Sequence, residues 1–153
     1  MGAPDVALIS PYPVGGERHG GRSGVAGYTA RLAGALADRG AEVAVVAPVE
    51  DGAPAHERHG AVRVERCFAA GAVALPRAAL AARATGAPVV HLQHETFLYG
   101  GPASVPALAP ALRLLRRAGR ATVATMHHVV EPATVDRSFT RLHRVRAPAR
   151  VAR

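Results

Sequence analysis

Short apolar runs alternate with helix-length amphipathic segments along this chain, and this alternation limits the fold more than any other feature of the sequence. Val6 to Ile9, Val43 to Val46, Val89 to Leu92 and Thr122 to Met126 have the length and composition of buried strands. Helical patterns of about 10–15 residues separate them, which is typical of βαβ units in a parallel sheet. We therefore predict an α/β fold with a Rossmann-like, doubly wound parallel sheet, whose ligands bind at the carboxyl ends of the strands.

The first helix is the best defined of the helical patterns. Ser23 is a predicted N-cap, and Val25, Tyr28, Leu32 and Leu36 recur at the three- and four-residue spacing of one helix face. Glycine follows the pattern at position 40, as is common after a helix C-terminus.

The remaining elements are predicted from weaker patterns. We expect helices over 75–85 and from a Ser104 N-cap to about Arg117, with Pro110 kinking the second of these or forcing it to restart. Residues 62–66 alternate like a partly exposed strand, and 49–60 are interpreted as a loop.

The composition limits the classes of protein to which this chain can belong. The 153 residues, 49% of them apolar, suffice for one ordinary domain without disulfides, and the single cysteine, Cys67, fits a reducing, cytoplasmic setting. No apolar run reaches the roughly 18 residues of a membrane span. The net charge of +8 comes from arginines alone, and these are not interleaved with aromatics, so nucleic-acid binding is not expected.

Arginines are concentrated at the end of the sequence. We divide the chain into a Rossmann-like domain, 1–136, and an arginine-rich segment, 137–153, that is interpreted as part of a helix. This segment has two open interpretations, a solvated helix face or a peripheral contact with an anionic membrane at its cytoplasmic side.

The loop after the first predicted strand is rich in glycine. Gly15 and Gly16, followed by Arg22, Ser23 and Gly24, place backbone N–H groups, a cation and a helix N-terminus together, which suits a phosphate group. The dinucleotide fingerprint G-x-G-x-x-G is absent. Residues 16–23 nearly match a P-loop, but arginine replaces its lysine, and Gln93 follows the later strand where a magnesium-binding aspartate is expected.

Several segments, taken in order, resemble the N-terminal half of family-4 glycosyltransferases of the GT-B fold. These are residues 23–33 (SGVAGYTARLA), 36–48 (LADRGAEVAVVAP), 89–95 (VVHLQHE), the glycine pair 100–101, and 125–127 (TMH). The resemblance implies the acceptor-side domain of a retaining enzyme that moves a hexose from a nucleotide sugar to a hydroxyl acceptor, with no metal and no cofactor. Because no E-x7-E motif follows His127, we expect the donor-binding domain to lie outside this chain.

The same resemblance implies roles for particular residues. His127 is the predicted catalytic residue, which supports the reacting centre of the sugar, and Gly24 is the predicted backbone contact to phosphate or acceptor. Gln93, His94 and Glu95 offer an amide, a ring and a carboxylate to sugar hydroxyls.

Two alternatives remain open at this stage. One is a metal site formed by the three histidines and the glutamine at 91, 93, 94 and 127, although residues three apart on a strand face opposite sides. The other is a non-catalytic α/β binding module or partner subunit.

Overall fold

The computed structural model describes residues 2–16 and 23–128, and these residues form a six-stranded sheet with helices on both faces. The strands are β1 (Val6–Ile9), β2 (Val43–Pro48), β3 (His56–His59), β4 (Val62–Phe68), β5 (Val89–His94) and β6 (Ala121–Met126). The helices are α1 (Gly24–Ala37), α2 (Ala74–Ala84) and α3 (Leu108–Arg117), with shorter 3₁₀ segments at Val14–Gly16, Thr96–Tyr99 and Gly101–Ala107.

The strand order is β3-β4-β2-β1-β5-β6, and every neighbouring pair is parallel except β3 with β4. The chain therefore builds the sheet in one direction from β1 to β2 and in the other direction from β1 to β5. The predicted Rossmann-like, doubly wound fold is confirmed, and its topological switch point lies between β1 and β5.

Alternation along the strands divides the core into two layers. Leu8, Val43 and Val45 face α1 and pack with its Ala30 and Ala33. The intervening strand residues face the opposite side, where they pack against the apolar residues of α2 and α3. A valine-rich, nearly continuous apolar strand is what burial on both faces requires.

The first helix begins where its cap predicts. Ser23 is extended, with φ −141°, and its hydroxyl accepts a hydrogen bond from the Ala26 N–H at 3.2 Å. The second helix and the strands at 62–68 and 121–126 also lie within a residue or two of their predicted positions. The prediction that the strand at 122–126 is buried is wrong, because β6 lies at the edge of the sheet and its Val123 and Met126 are each 47% exposed.

The prediction that 49–60 is a loop is wrong, because it contains the edge strand β3. That strand reads His-Glu-Arg-His, so it has no apolar alternation to detect. Of its inward residues, Glu57 pairs with the buried Arg66 on the neighbouring strand, and His59 hydrogen-bonds Glu57 and stacks on Tyr12.

The prediction that Ser104 caps the third helix is also wrong. Ser104 lies inside a 3₁₀ segment, where its hydroxyl donates to the Gly101 carbonyl at 2.8 Å. The α-helix starts only at Leu108, with Pro110 in its first turn, where a missing N–H costs no hydrogen bond. A new helix therefore starts close to Pro110, and a restart is one of the two effects predicted for this proline.

Candidate functional site

Polar residues of three segments meet at the carboxyl edge of the sheet, beside the switch point. Ser10 follows β1, Glu95 follows β5, and His127 follows β6. The backbone N–H of His127 donates to the His94 carbonyl at 2.9 Å, which continues the pairing of β5 with β6 by one residue. Glu95 and His127 are therefore brought to the same edge as the start of α1.

The start of α1 is held against this edge by side chains. The hydroxyls of Ser10 and Thr29 are 2.6 Å apart and buried, which ties the end of β1 to the second turn of the helix. Tyr28 places its ring edge-to-face on His127, with the centroids 5.1 Å apart. Gly24 and Val25 occupy the first two helical positions, whose N–H groups have no acceptor within the helix.

Gln93 connects the histidine at the edge to a second histidine beneath it. Its Oε1 lies 2.8 Å from His127 Nε2, and its Nε2 lies 3.1 Å from His91 Nε2. The hydroxyl of Thr125 on β6 is also 2.8 Å from His91 Nε2. Gln93 is fully buried, so both ends of its amide are engaged by histidines rather than by the crevice.

The surroundings of His91 favour the neutral form of its ring. Burial lowers its pKa, and the neighbouring His127 lowers it further. His91 is therefore neutral at neutral pH, and one of its ring nitrogens is free to accept a hydrogen bond.

His94 points away from this network. It is 4% exposed and stacks on the buried ring of Tyr99, with the centroids 6.0 Å apart. The Tyr99 hydroxyl lies 3.1 Å from the Ile9 carbonyl and 2.8 Å from the Gln93 carbonyl, so it links the ends of β1 and β5. The sequence predicted His94 as a substrate contact, whereas the structure places its ring in the packing beneath the crevice.

Glu95 supports the chain segment that follows β5. Its Oε1 accepts a hydrogen bond from the Phe97 N–H at 3.1 Å, at the start of the 3₁₀ segment Thr96–Tyr99. The side chain is half-buried, so it keeps part of its surface open to the crevice.

The described first part of the glycine-rich loop, residues 11–16, lies over β3 and β4 rather than over β5 and β6. The Gly15 N–H donates to Glu57 Oε2 at 2.9 Å, and Gly16 ends the short 3₁₀ turn. Arg66 donates to the Tyr12 carbonyl at 3.0 Å. The structure therefore does not bring Gly15 together with His127 through any described contact, and Arg22 lies outside the described residues.

Arg66 and Glu57 were missed by the sequence interpretation. Arg66 was read as part of a partly exposed strand, yet it is only 4% exposed and its guanidinium lies 2.9 Å from Glu57 Oε1. Only the alternation that places both residues on the α1 side of their strands could have indicated this pair.

Two further features bear on the alternatives. In residues 2–16 and 23–128, no group of three histidine, cysteine, aspartate or glutamate side chains is placed to hold a metal ion. A groove of about 620 Å³ lies on the α2 side of β2, β3 and β4, and its lining includes Arg58, Arg63 and Glu65. This groove contains none of the predicted site residues, because they lie on other strands or at the carboxyl edge.

No helix within the described part of the chain is long and apolar enough to cross a membrane. Comparisons with protein-family models, with curated proteins and with solved structures gave no match. The functional assignment therefore depends on the chemistry and placement of the residues themselves.

Proposed function

We propose that this chain is the N-terminal, acceptor-side domain of a retaining GT-B hexosyltransferase. The enzyme would transfer a hexose from a nucleotide sugar to a hydroxyl acceptor. The observation that carries the proposal is the position of His127, which is hydrogen-bonded to buried Gln93 and packed against Tyr28 of α1 at the carboxyl edge of the sheet.

The chemistry proposed for this edge is electrostatic. The N-terminus of α1, with Ser23 and Gly24, offers N–H groups and the positive end of a helix dipole to an anionic group of the donor or acceptor. His127 would hydrogen-bond the transferred sugar close to its reacting carbon, and Glu95 would accept from a sugar hydroxyl. No metal is needed in this proposal, because helix dipoles and basic side chains offset the charge of the leaving diphosphate.

Only one wall of a two-domain cleft is proposed for this chain. The nucleotide and the diphosphate would be bound mainly by a second domain, so transfer requires both halves around the sugar. The arginine-rich segment 137–153, for which a peripheral contact with anionic membrane was one prediction, lies outside the described residues.

The test compares two polypeptides. We expect the 153-residue chain alone to release no nucleoside diphosphate from a panel of nucleotide hexoses, and a longer polypeptide from the same reading frame, with a second α/β domain, to transfer hexose. Robust transfer by the short chain would contradict the proposal that transfer requires both domains. No transfer by either polypeptide would contradict the enzyme proposal and favour the non-catalytic binding module.

A further inference from the structure

The geometry points to Gln93 as a positioning residue that fixes opposite tautomers in two histidines, Nε2–H in His127 and Nδ1–H in His91. His127 is thereby left with Nδ1 as an acceptor for a ligand hydroxyl. The tautomers follow from hydrogen bonds within this chain, whereas identifying the hydroxyl as one of a sugar rests on the proposed function.

The distances at the two ends of the amide fix its orientation. The contact with His127 is 2.8 Å and the contact with His91 is 3.1 Å. An N–H···O bond is shorter than an N–H···N bond because oxygen is the smaller acceptor, and 2.8 Å lies within the usual N–H···O range. The carbonyl oxygen of Gln93 therefore faces His127, and its NH₂ group faces His91.

This orientation of the amide determines whether Nε2 of each histidine carries a proton. The amide oxygen only accepts, so His127 Nε2 must carry a proton and donate it. The amide NH₂ only donates, so His91 Nε2 must be unprotonated and accept. The Thr125 hydroxyl at 2.8 Å fits the same pattern, because it can turn its proton towards the His91 lone pair.

The surroundings of the amide oppose the reverse arrangement. Gln93 has no exposed surface, so water cannot replace either partner while the side chain turns. A turned amide would present NH₂ to His127 and oxygen to His91, and both imidazoles would have to move their protons to the other nitrogen. The lowered pKa of His91, caused by burial and by His127, also opposes the added proton that would force such a turn.

The consequence for recognition lies at the other nitrogen of His127. A neutral imidazole has one donor and one acceptor nitrogen, so donation from Nε2 makes Nδ1 the acceptor. No hydrogen bond within residues 2–16 and 23–128 engages Nδ1. A hydroxyl can donate to it, whereas an ionised phosphate oxygen, which only accepts, cannot. A ligand group at Nδ1 of His127 must therefore be a donor, which is a sugar hydroxyl under the proposed function, and an ionised phosphate belongs elsewhere in the cleft.

The test is long-range ¹H–¹⁵N correlation NMR of the histidine rings in the 153-residue chain at pH 7.5 or above, where neutral imidazoles dominate. We expect the Nδ1–H pattern for His91 and the Nε2–H pattern for His127. The His91 result distinguishes a tautomer fixed by Gln93 from an unconstrained one, because an unconstrained imidazole favours Nε2–H. Finding His91 as Nε2–H, or both histidines with the same tautomer, overturns the inference without the need for any variant.

Two variants test the link through the amide. Gln93→Leu removes the acceptor from His127, so the His127 Nε2 proton should exchange with water at least about tenfold faster, as expected for loss of one buried hydrogen bond. Thr125→Val is the matched control, since it removes the other partner of His91 and should leave the His127 proton protected. Equal protection of that proton in all three proteins would overturn the role of Gln93.

The transfer assay separates this inference from the proposed function. Opposite tautomers in the 153-residue chain, together with no transfer by the longer two-domain polypeptide, would refute the enzyme proposal and leave the role of Gln93 intact. Transfer by the longer polypeptide, with His91 and His127 in the same tautomer, would support the enzyme proposal and refute the role of Gln93.

Discussion

The sequence suggests that His94 contacts a ligand, but the structure buries its side chain beneath the crevice. Its ring is 4% exposed, it stacks on Tyr99, and neither ring nitrogen has a hydrogen-bond partner within the described residues. Burial lowers its pKa, and the nearby charge of Glu95 opposes that effect only in part. A buried polar atom without a partner costs free energy, so this position carries a penalty for a histidine.

Replacing His94 with phenylalanine should therefore stabilise the domain. The aromatic stack on Tyr99 is kept and two unpartnered nitrogens are removed, so we expect the free energy of unfolding at pH 7 to rise by about 1 kcal/mol. Denaturant unfolding measures this, with the exposed His128→Phe as control. An unchanged or lower value for His94→Phe would contradict the prediction.

The lowered pKa values of His91 and His94 also predict how stability depends on pH. The unfolded chain takes up protons near the ordinary value of 6.5, whereas the folded chain takes them up only at lower pH. The unfolded state therefore binds more protons as pH falls, and stability present above pH 6.5 is lost below it. His94→Phe should lose less stability than the wild type between pH 6.5 and pH 5 in the same unfolding experiment.

Gly100 has no room for a side chain. Its φ is 109°, and an added Cβ would lie 2.4 Å from the Gly71 nitrogen, in the loop after β4. The Gly71 N–H donates to the Tyr99 carbonyl at 2.9 Å, so the two loops cannot separate without losing this bond.

Gly100→Ala should accordingly cost more than about 3 kcal/mol of stability, because a backbone clash adds to the left-handed strain. Gly119→Ala is the matched control: its φ is 73° and nothing lies within 4 Å of the added carbon, so only about 1–2 kcal/mol is expected. Thermal or denaturant unfolding of the two variants measures the difference. Equal losses would show that the close approach of the loops does not matter.

At the scale of the elements, the loop after β1 is held in place by side chains of β3 and β4. Arg66 on β4 donates to the carbonyls of Tyr12 and Pro13, and Glu57 on β3 accepts from the Gly15 N–H. Although burial alone raises the pKa of Glu57, the hydrogen bonds and charge of Arg66 and the N–H of Gly15 hold it below its usual value. The ion pair therefore fixes the first half of the glycine-rich loop.

Removing the cation of the Arg66–Glu57 pair should destabilise the fold more than neutralising its carboxylate. Arg66→Met leaves a buried carboxylate without its cation, and we expect a loss of about 3–5 kcal/mol. Glu57→Gln keeps an acceptor for Arg66 and should cost less. Unfolding experiments on both variants test the order, and an equal loss would contradict it.

Glu57 gives the pair a definite pH dependence. Its folded pKa is lowered, so its stabilising contribution is present above the ordinary value of 4.5 and is lost as pH falls through the lowered folded value. Glu57→Gln should flatten this acid limb of the stability profile.

The elements that the sequence predicted correctly are those with an apolar period. β1, β2 and β5 bury most of their residues, so their apolar runs report their environment directly. The periodicity of α1 located the helix, but its buried face consists of Ala26, Thr29, Ala30 and Ala33, and Tyr28 is 38% exposed. β3 was missed because its inward side chains are an ion-pair partner and a histidine. The start of α3 was misplaced because Pro102 and Pro106 maintain a 3₁₀ segment before it, whereas Ser104 alone looked like a cap.

The candidate site was predictable in location but not in its contacts. Parallel strands collect their following residues at one edge, which is why Glu95, His127 and the start of α1 were expected together. The hydrogen bonds of Gln93 depend on which strand lies beside β5 and in which register, and no local pattern contains that information. The stacking of Tyr28 on His127 is equally a product of tertiary packing.

In the whole molecule, the switch point determines which residues can act together. α1 and β2 extend the chain to one side of β1, and β5 and β6 lie on the other side, so the α1 N-terminus and His127 border one crevice although about a hundred residues separate them in sequence. Arg66 holds residues 12–13, at the start of the glycine-rich loop, beside β3 and β4, whereas the histidine network lies on the β5–β6 side.

This arrangement makes His127 the residue whose loss should affect activity most. In a longer polypeptide that transfers hexose, His127→Ala should lower turnover by roughly ten- to a thousand-fold, the range expected for one preorganised electrostatic contact. The free energy of unfolding should fall by about 1–3 kcal/mol, because the Oε1 of the buried Gln93 loses its hydrogen bond to His127. His128→Ala is the control, since that neighbouring side chain is exposed and makes none of the described contacts of the network. Steady-state kinetics of the two variants decide the matter, and equal turnover in both would leave His127 without a catalytic role.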